Sequence, residues 1–550
     1  MDPAYYLEMH KILLYYHTLK YLKFKQFLYR LFYRLYQPKI SRTVPSCPLN
    51  KRYNQGSFLF KQNQYFVGEN TVCFINHAAN IESRHIWNDK TQQKLWLYNL
   101  HYFDALNARD IKQRDIAYAL LQRWVKENPI EKKGNAWEPY PISLRIVNII
   151  KYALTGNRLD DKIRNALYIQ VRFLNKICEY HLLGNHLFEN FKALCFAGLY
   201  FKSKESGKWF NKGLRGLKEQ VKEQILQDGG HFELSPMYHC IILEGMLDLK
   251  NIFTCYDKAS LFCWDHEIQN MLNWLQLMMR NPSSISYFND AADGIAATPR
   301  NIFSYAKSLG YVASIPKSGI SKLSSSGYYV LQNQYAKVIV DIAKVGPEYL
   351  PGHAHADTLS FELMVGEQPV FANLGTSCYG VSERRSFERS TRAHNTVCVN
   401  SKDSSQVWAS FRVAKRAKPK LIVLEEKEKL ISIKSSHDGY RRLHRKLVHT
   451  RQFHMEGKSL LIIDELGANC HAQGYLHLHP DCQIVTNTDR HIVIALPNGK
   501  SVEIYLDNHY EIQDNHYAKS FGQLKNTKSI CYSFDAVRRT ARIAIQWGKQ

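Results

Sequence analysis

The period of the apolar residues changes once along this chain, and that change limits the folds open to it. From about residue 92 to 310, apolar residues recur at i, i+3, i+4 and i+7. They do so in KLWLYNLHYFDAL, IAYALLQRWVKE, ISLRIVNIIKYALTG, RNALYIQVRFLNKICEYHLL, LFENFKALCFAGLYF and IQNMLNWLQLMM. That spacing lines one face of an α-helix. Polar or glycine-bearing breaks such as ENPIEKKGN and TGNRLDD separate the runs. Serial amphipathic helices with short links predict antiparallel pairs, in a bundle or an α/α barrel. After about residue 325 the period is two, as in SSGYYVLQNQ, AKVIVDIAKV, KLISIKSS, SLLIIDEL, HIVIALP and SVEIYL. Many strands with few helices between them predict a β-sandwich or jelly roll. The switch falls near Gly310–Ser326, which holds Pro316, Gly319 and a Ser/Lys-rich link. The expected class is α+β multidomain, with helices over 91–315 and antiparallel strands over 325–550. A basic, aromatic helical extension is expected over 1–90.

Composition narrows the partners. The chain has 550 residues, 45% of them hydrophobic, enough for two or three domains with large cores. Its formal net charge is +24, from Lys+Arg 73 against Asp+Glu 49. Such an excess favours a polyanion: nucleic acid, an anionic membrane or an acidic polysaccharide. There is no RNP motif, helix-turn-helix pattern or zinc finger, so a specific nucleic-acid partner has only charge behind it. Twelve cysteines lie scattered without a CxxC pair. That fits a reducing compartment better than a disulfide framework. The opening MDPAYYLEMH lacks the basic and apolar regions of a signal peptide. The expected location is the cytoplasm or the inner face of a membrane, rather than the periplasm. The segment Tyr15–Tyr36, aromatic and basic at helical spacing, carries too many lysines and arginines to span a bilayer easily. Residues 5–36 could touch an anionic membrane surface. The favoured reading packs them on the body of the protein, with lysine stems covering apolar surface.

Four stretches carry polar groups that ordinary packing does not require. GNAWEPYPISLRIVN (134–148) contains Arg145. LLGNHLFEN (182–190) places Asn185 and His186 near a helix start. DGGHFELSPMYH (228–239) follows a Gly-Gly turn, and Pro236 starts a helix with Tyr238 and His239 in its first turn. YLPGHAHADTLSFEL (349–363) sets His353 and His355 on one side of an extended segment; beyond it, RRSFERSTRAHNTV holds Arg389, Arg392, His394 and Asn395. Singly, Asn185 could be a helix cap, Tyr238 a core residue and the histidines surface decoration. Together, Asn, Tyr, His and Arg in Gly/Pro-marked turns are the parts of a proton-abstraction site.

With these motifs in order, the sequence resembles the heparinase II/III family of polysaccharide lyases from about Trp96 to Ile530. The landmarks are YNLHYFDAL, WEPYPISLRIVN, LGNHLFENFKAL, GGHFELSPMYH, GHAHADTLSFEL, RSTRAHNTVCVN and VWASFRVAKRAK. The resemblance implies an N-terminal α/α toroid, a C-terminal antiparallel β-sandwich and an active site between them. It implies β-elimination on a uronic-acid-containing acidic polysaccharide, with a role beside capsule or exopolysaccharide metabolism. By motif, Asn185 looks like the group that neutralises the uronate carboxylate. Tyr238 looks like the base and acid at C5 and the leaving oxygen, and His353 like a partner base. Arg145, His186, His239 and Arg392 are expected to contact substrate. One divalent metal, zinc or calcium, is implied at His355, Asn373 and His394. Relatives often read DPGT where this chain reads NLGT (373–376). An amide is a poorer ligand than a carboxylate, and Asp357 is the nearby substitute. The rival of another class is a polyanion-binding protein that keeps the groove without the catalysis.

Overall fold

The structure is a computed structural model describing residues 3–45, 48–131, 134–316, 318–428, 430–534 and 538–548, with residues 3–10 described through their backbone alone. Helices α1 (Pro3–Leu19) and α2 (Phe24–Leu35) open the chain. The expected helical extension ends there. Pro38, Pro45, Pro48 and Gly56 interrupt the next stretch, and prolines remove the donors a helix needs. The chain instead runs irregularly over the helical domain, laying Phe58 and Tyr65 into its core. It then forms a three-stranded antiparallel sheet between Phe66 and Asn80.

Among the described residues, nine further helices form an incomplete α/α toroid. They are α3 (Lys94–Tyr102), α4 (Ile111–Glu127), α5 (Pro139–Leu154), α6 (Asp161–Lys176), α7 (Gly184–Tyr200), α8 (Lys204–Gln224), α9 (Pro236–Cys255), α10 (Asp265–Met278) and α11 (Pro299–Ser308). Asp110, Asp160, Ser203, Ser235 and Thr298 accept backbone N–H groups at the starts of α4, α6, α8, α9 and α11. These bonds satisfy donors that helix ends leave orphaned. Every residue of α7 except His186 is buried. A helix covered on all sides belongs at a core centre, and α7 packs against α5, α8 and α9.

The second half is antiparallel. Among the described residues, five strands between Gly319 and Phe371 make one sheet, eight between Pro419 and Trp547 a second, and four, including Val397–Val399 and Gln523–Phe534, a third. Val338, Ile433, Phe453, Leu476, Ile530 and Ile543 from the three sheets share one core. The strand Phe361–Val365 is buried on both faces. Phe361, Leu363 and Val365 face the sandwich core, while Met364 packs with Trp274 and Met278 of α10. This strand therefore belongs to both halves. A buried ion pair locks the seam: Arg280 Nε donates to Glu362 Oε2 at 2.7 Å. The same carboxylate accepts the backbone N–H of Tyr287 and Asn373. Breaking such a buried pair costs about 3–5 kcal/mol. The eleven described cysteines are all unpaired.

Candidate active site

A cavity of about 1200 Å³ opens along the seam. Asn185, Tyr238 and His353 all line it, each from a different part of the chain. Asn185 stands in the first turn of α7, Tyr238 in the first turn of α9, and His353 in a short 3-10 turn from the β half. Backbone strain marks the loops that deliver them. Leu183, Leu234 and Asn289 have φ of 67°, 59° and 57°. Non-glycine residues avoid this region, and folds that hold them there do so at about 1–3 kcal/mol each, most often at functional sites. Gly184 has no alternative: a Cβ there would lie 2.4 Å from Leu350 Cδ2 and 2.9 Å from Glu233 Oε1.

Asn185 Nδ2 donates to Glu233, at 3.0 Å to Oε1 and 3.1 Å to Oε2. The Tyr238 ring stacks on the His353 imidazole, centroids 3.9 Å apart. Its hydroxyl lies 3.0 Å from that of Tyr379. Burial, then the neighbouring Tyr379, Asp290 and Glu233, raises the Tyr238 phenol well above its ordinary value. It therefore rests protonated. His353 Nδ1 meets Asp290 Oδ2 at 2.9 Å. A carboxylate there makes Nδ1 the donor and leaves the lone pair on Nε2. Nε2 sits 3.8 Å from Glu233 Oε2.

Asp290 organises this end of the site. It is fully buried, and besides His353 it holds His355 Nε2 at 2.8 Å and Arg385 Nη2 at 2.8 Å. Burial alone would raise its pKa; the Arg385 charge and the imidazole donors keep it well below the usual carboxylate range. Sequence reasoning does not single out Asp290, Glu233 or Tyr379. Glu233 sits inside the GGHFELSPMYH motif, and Asp290, in YFNDAAD, follows an asparagine that adopts a left-handed conformation. Tyr379 lies in the irregular stretch after Phe371 and carries no local signal beyond being aromatic.

The remaining predicted residues divide. His186 lines the cavity, with Nδ1 3.1 Å from Glu179 Oε1 and its ring against Tyr140. Burial opposes its protonation, but Glu179, Glu233 and Glu189 outweigh it and raise the pKa. Arg145, by contrast, is wholly buried in the toroid. It donates to Gln170, His101 O and Ala136 O, and lies 4.0 Å over Trp124. His239 turns the other way from Tyr238 on α9, bonded to Met271 O and stacked on Trp274. Arg392 is exposed on the turn Thr391–Ala393 and does not line the cavity. Helix periodicity explains His239: neighbouring residues lie about 100° apart around the axis. Arg145 is drawn inward because a planar fork satisfies three buried acceptors at once.

His355 and His394 do come together, with Nδ1 and Nε2 3.1 Å apart. Asn373 stands beside them in the fold, but its Oδ1 accepts the Asn395 N–H and its buried Nδ2 has no partner among the described residues. Asp357, the possible substitute, accepts from the Asn289 N–H instead. No group of three histidine, cysteine or acidic side chains able to hold a metal occurs among the described residues. Two mutually bonded imidazoles and an amide whose oxygen is already engaged do not fit a divalent cation that favours a carboxylate.

Comparison with known proteins agrees with this architecture. Residues 87–311 match the Heparinase II/III N-terminus family, and residues 315–546 match the Heparinase II/III-like, C-terminal family. A heparin-sulfate lyase of Bacteroides stercoris is 22% identical over 475 residues, 76% of this chain and 68% of that protein. One from Pedobacter heparinus is 27% identical over 366 residues, 58% of this chain and 54% of that one. Against that second relative, the match spans about half of its length. The crystal structure of heparinase III superposes with a TM-score of 0.66 at 19% identity, covering 86% of this chain and 79% of the other. A heparan sulfate lyase from Pedobacter heparinus gives 0.58 at 17%, over 86% and 80%. With both halves matched in order, the chain belongs to the heparinase II/III family.

Proposed function

We infer that this protein is a polysaccharide lyase that cleaves a uronic-acid-containing acidic polysaccharide by β-elimination. One observation carries the reading: a stacked Tyr238–His353 pair, with His353 oriented by buried Asp290, faces the seam cavity beside Asn185. The uronate carboxylate lies against Asn185 and His186, whose N–H groups stabilise the charge that grows on it as C5 loses its proton. His353 Nε2 takes that proton. The electron pair of the C5–H bond becomes the C4=C5 double bond as the C4–O bond breaks. Tyr238 gives its hydroxyl proton to the departing oxygen, and the imidazolium returns a proton to the phenolate through solvent. The products are a shortened chain with a new hydroxyl and a chain beginning with an unsaturated uronate.

This division of labour differs from one in which Tyr238 serves as both base and acid. A phenol raised by burial is a better donor than base in the resting site. No step uses a metal. The heparin-sulfate lyases among the relatives make glycosaminoglycans of that class the first polymers to offer, then chondroitin-type, hyaluronan, alginate and bacterial capsules. The test is ultraviolet absorbance of the unsaturated uronate on incubation with that panel. A rise with one polymer, absent in Tyr238→Phe, supports the lyase and names its substrate. Glycan binding without any rise would support the inactive polyanion binder instead.

A further inference from the structure

We propose that α1 and α2 form a strap that docks the protein on an anionic phospholipid bilayer, with the mouth of the cavity alongside. The strap has two unlike faces. On the inner one, the Tyr33 hydroxyl donates to Cys178 O at 2.5 Å, Tyr29 packs on Tyr180, and buried Gln26 donates to Tyr349 O. Tyr15 and Thr18 of α1 contact Trp408 of the β half. The pair thus bridges the two halves, and Leu19, Leu22, Gln26 and Arg30 form part of the cavity rim.

The outer face of α2 repeats apolar residues at i, i+3, i+4, i+7 and i+11: Phe24, Phe27, Leu28, Leu31 and Leu35. Nothing among the described residues covers them; Phe24 and Leu35 are each 79% exposed and Leu31 59%. Ile12, Tyr16 and Leu19 continue the bare surface on α1. An exposed stripe of this kind marks an interaction site. The charge says what the partner is. Residues 9–68 contain eleven lysines and arginines and no aspartate or glutamate. Lys20, Lys25 and Arg34 flank the stripe, all exposed.

Only one kind of partner answers both features. An acidic polysaccharide or a nucleic acid would pair with the cations but leave phenylalanine and leucine in water. A second copy of the strap would cover the apolar stripe but bring two strongly cationic surfaces together. An anionic bilayer offers acyl chains to the stripe and headgroup charge to its flanks, the pattern of interfacial amphipathic helices. No helix among the described residues is long and apolar enough to cross a membrane, so the contact is with its surface. The cavity rim would then meet polymer lying close to that surface.

The test is co-sedimentation of the full chain with vesicles of phosphatidylcholine alone and of phosphatidylcholine mixed with phosphatidylglycerol. Binding is expected only to the mixed vesicles, weakening as salt rises. The triple variant Phe24→Glu/Leu28→Glu/Leu31→Glu changes residues that neither pack inward nor line the cavity. It should lower partitioning at least about tenfold, with Tm and solution turnover unchanged. Lys20→Glu/Lys25→Glu/Arg34→Glu should lower it as well, reading the electrostatic part separately. The proposal is overturned if wild type stays in the supernatant with both vesicles, or if both variants sediment like wild type. Light scattering showing a dimer that the triple variant dissociates would overturn it too. The assay contains no glycan, so its failure leaves the lyase reading untouched, and the reverse also holds.

Discussion

His353 and His355 are two residues apart and share one aspartate, yet they live in different worlds. His353 is half-buried, stacks on Tyr238 and looks into the cavity. His355 is fully buried, bonded to His394 and closed off behind the wall. Asp290 gives one carboxylate oxygen to each. The cavity cluster has groups facing open space; the interior cluster is sealed from it. The difference teaches that one polar motif can supply both the reacting group and the brace behind it. The burial of each member, more than its residue type, separates the roles.

The sharpest way to break this comparison is Tyr238→Phe. It removes one hydroxyl from the cavity cluster and should lower turnover by about a thousandfold or more, in the range of proton-transfer groups. Substrate affinity and Tm should hold. Retention of most of the rate would remove Tyr238 from the chemistry. Next comes Asp290→Asn, which strikes both clusters. The orientation of His353 is lost, and buried Arg385 loses its bonded carboxylate. Turnover should fall about a hundredfold or more, and stability by about 3–5 kcal/mol. If denaturant unfolding moved while turnover of the folded fraction did not, Asp290 would be a brace alone.

Asn185→Ala should cost about a hundredfold in turnover, the loss of one donor to a developing anion; a small effect would shift carboxylate neutralisation to His186. Arg145→Ala should leave the KM of the folded protein unchanged while destabilising it by about 3–5 kcal/mol, because three buried acceptors lose their donor. A raised KM at unchanged stability would return Arg145 to the site.

The smallest effect, counted per pH unit, is on acid stability. Burial holds the imidazoles of His101 and His239 down to about 3, well under the 6.5 of an exposed histidine. The unfolded chain therefore takes up protons first as acid is added. Stability should be full above about pH 6.5, fall below it, and keep falling until about pH 3. Each group contributes at most about 1.4 kcal/mol per pH unit. A melting series across that window checks the sign, and His239→Gln should flatten the slope.

Much of this is legible in residues. The change from a helical to a two-residue period locates the helical and the strand-rich halves, because burying one face of each element imposes that spacing. Asn185, Tyr238 and His353 stand in turns marked by Gly or Pro, and the structure brings all three to one cavity. Residues 36–90 read as helical, yet their only helical element among the described residues is one short 3-10 turn, Arg84–Asn88, since aromatic and basic content alone does not show that prolines divert the chain. Arg145 and His239 carry the right chemistry and face the wrong way. Asp290 and Tyr379 leave no pattern to read: they reach the site only because a strained loop and the β half close on the toroid.

By itself, the sequence determined the class of each half, the order of the halves, and the residue types available for proton transfer. Those follow from local periodicity and from turns, which act over a few residues. Tertiary structure alone decided which histidine faces substrate, that a buried aspartate orients it, and that the strap turns its apolar stripe outward. Such outcomes depend on packing between segments distant in the chain, where burial and unpaired charge set the cost of every alternative.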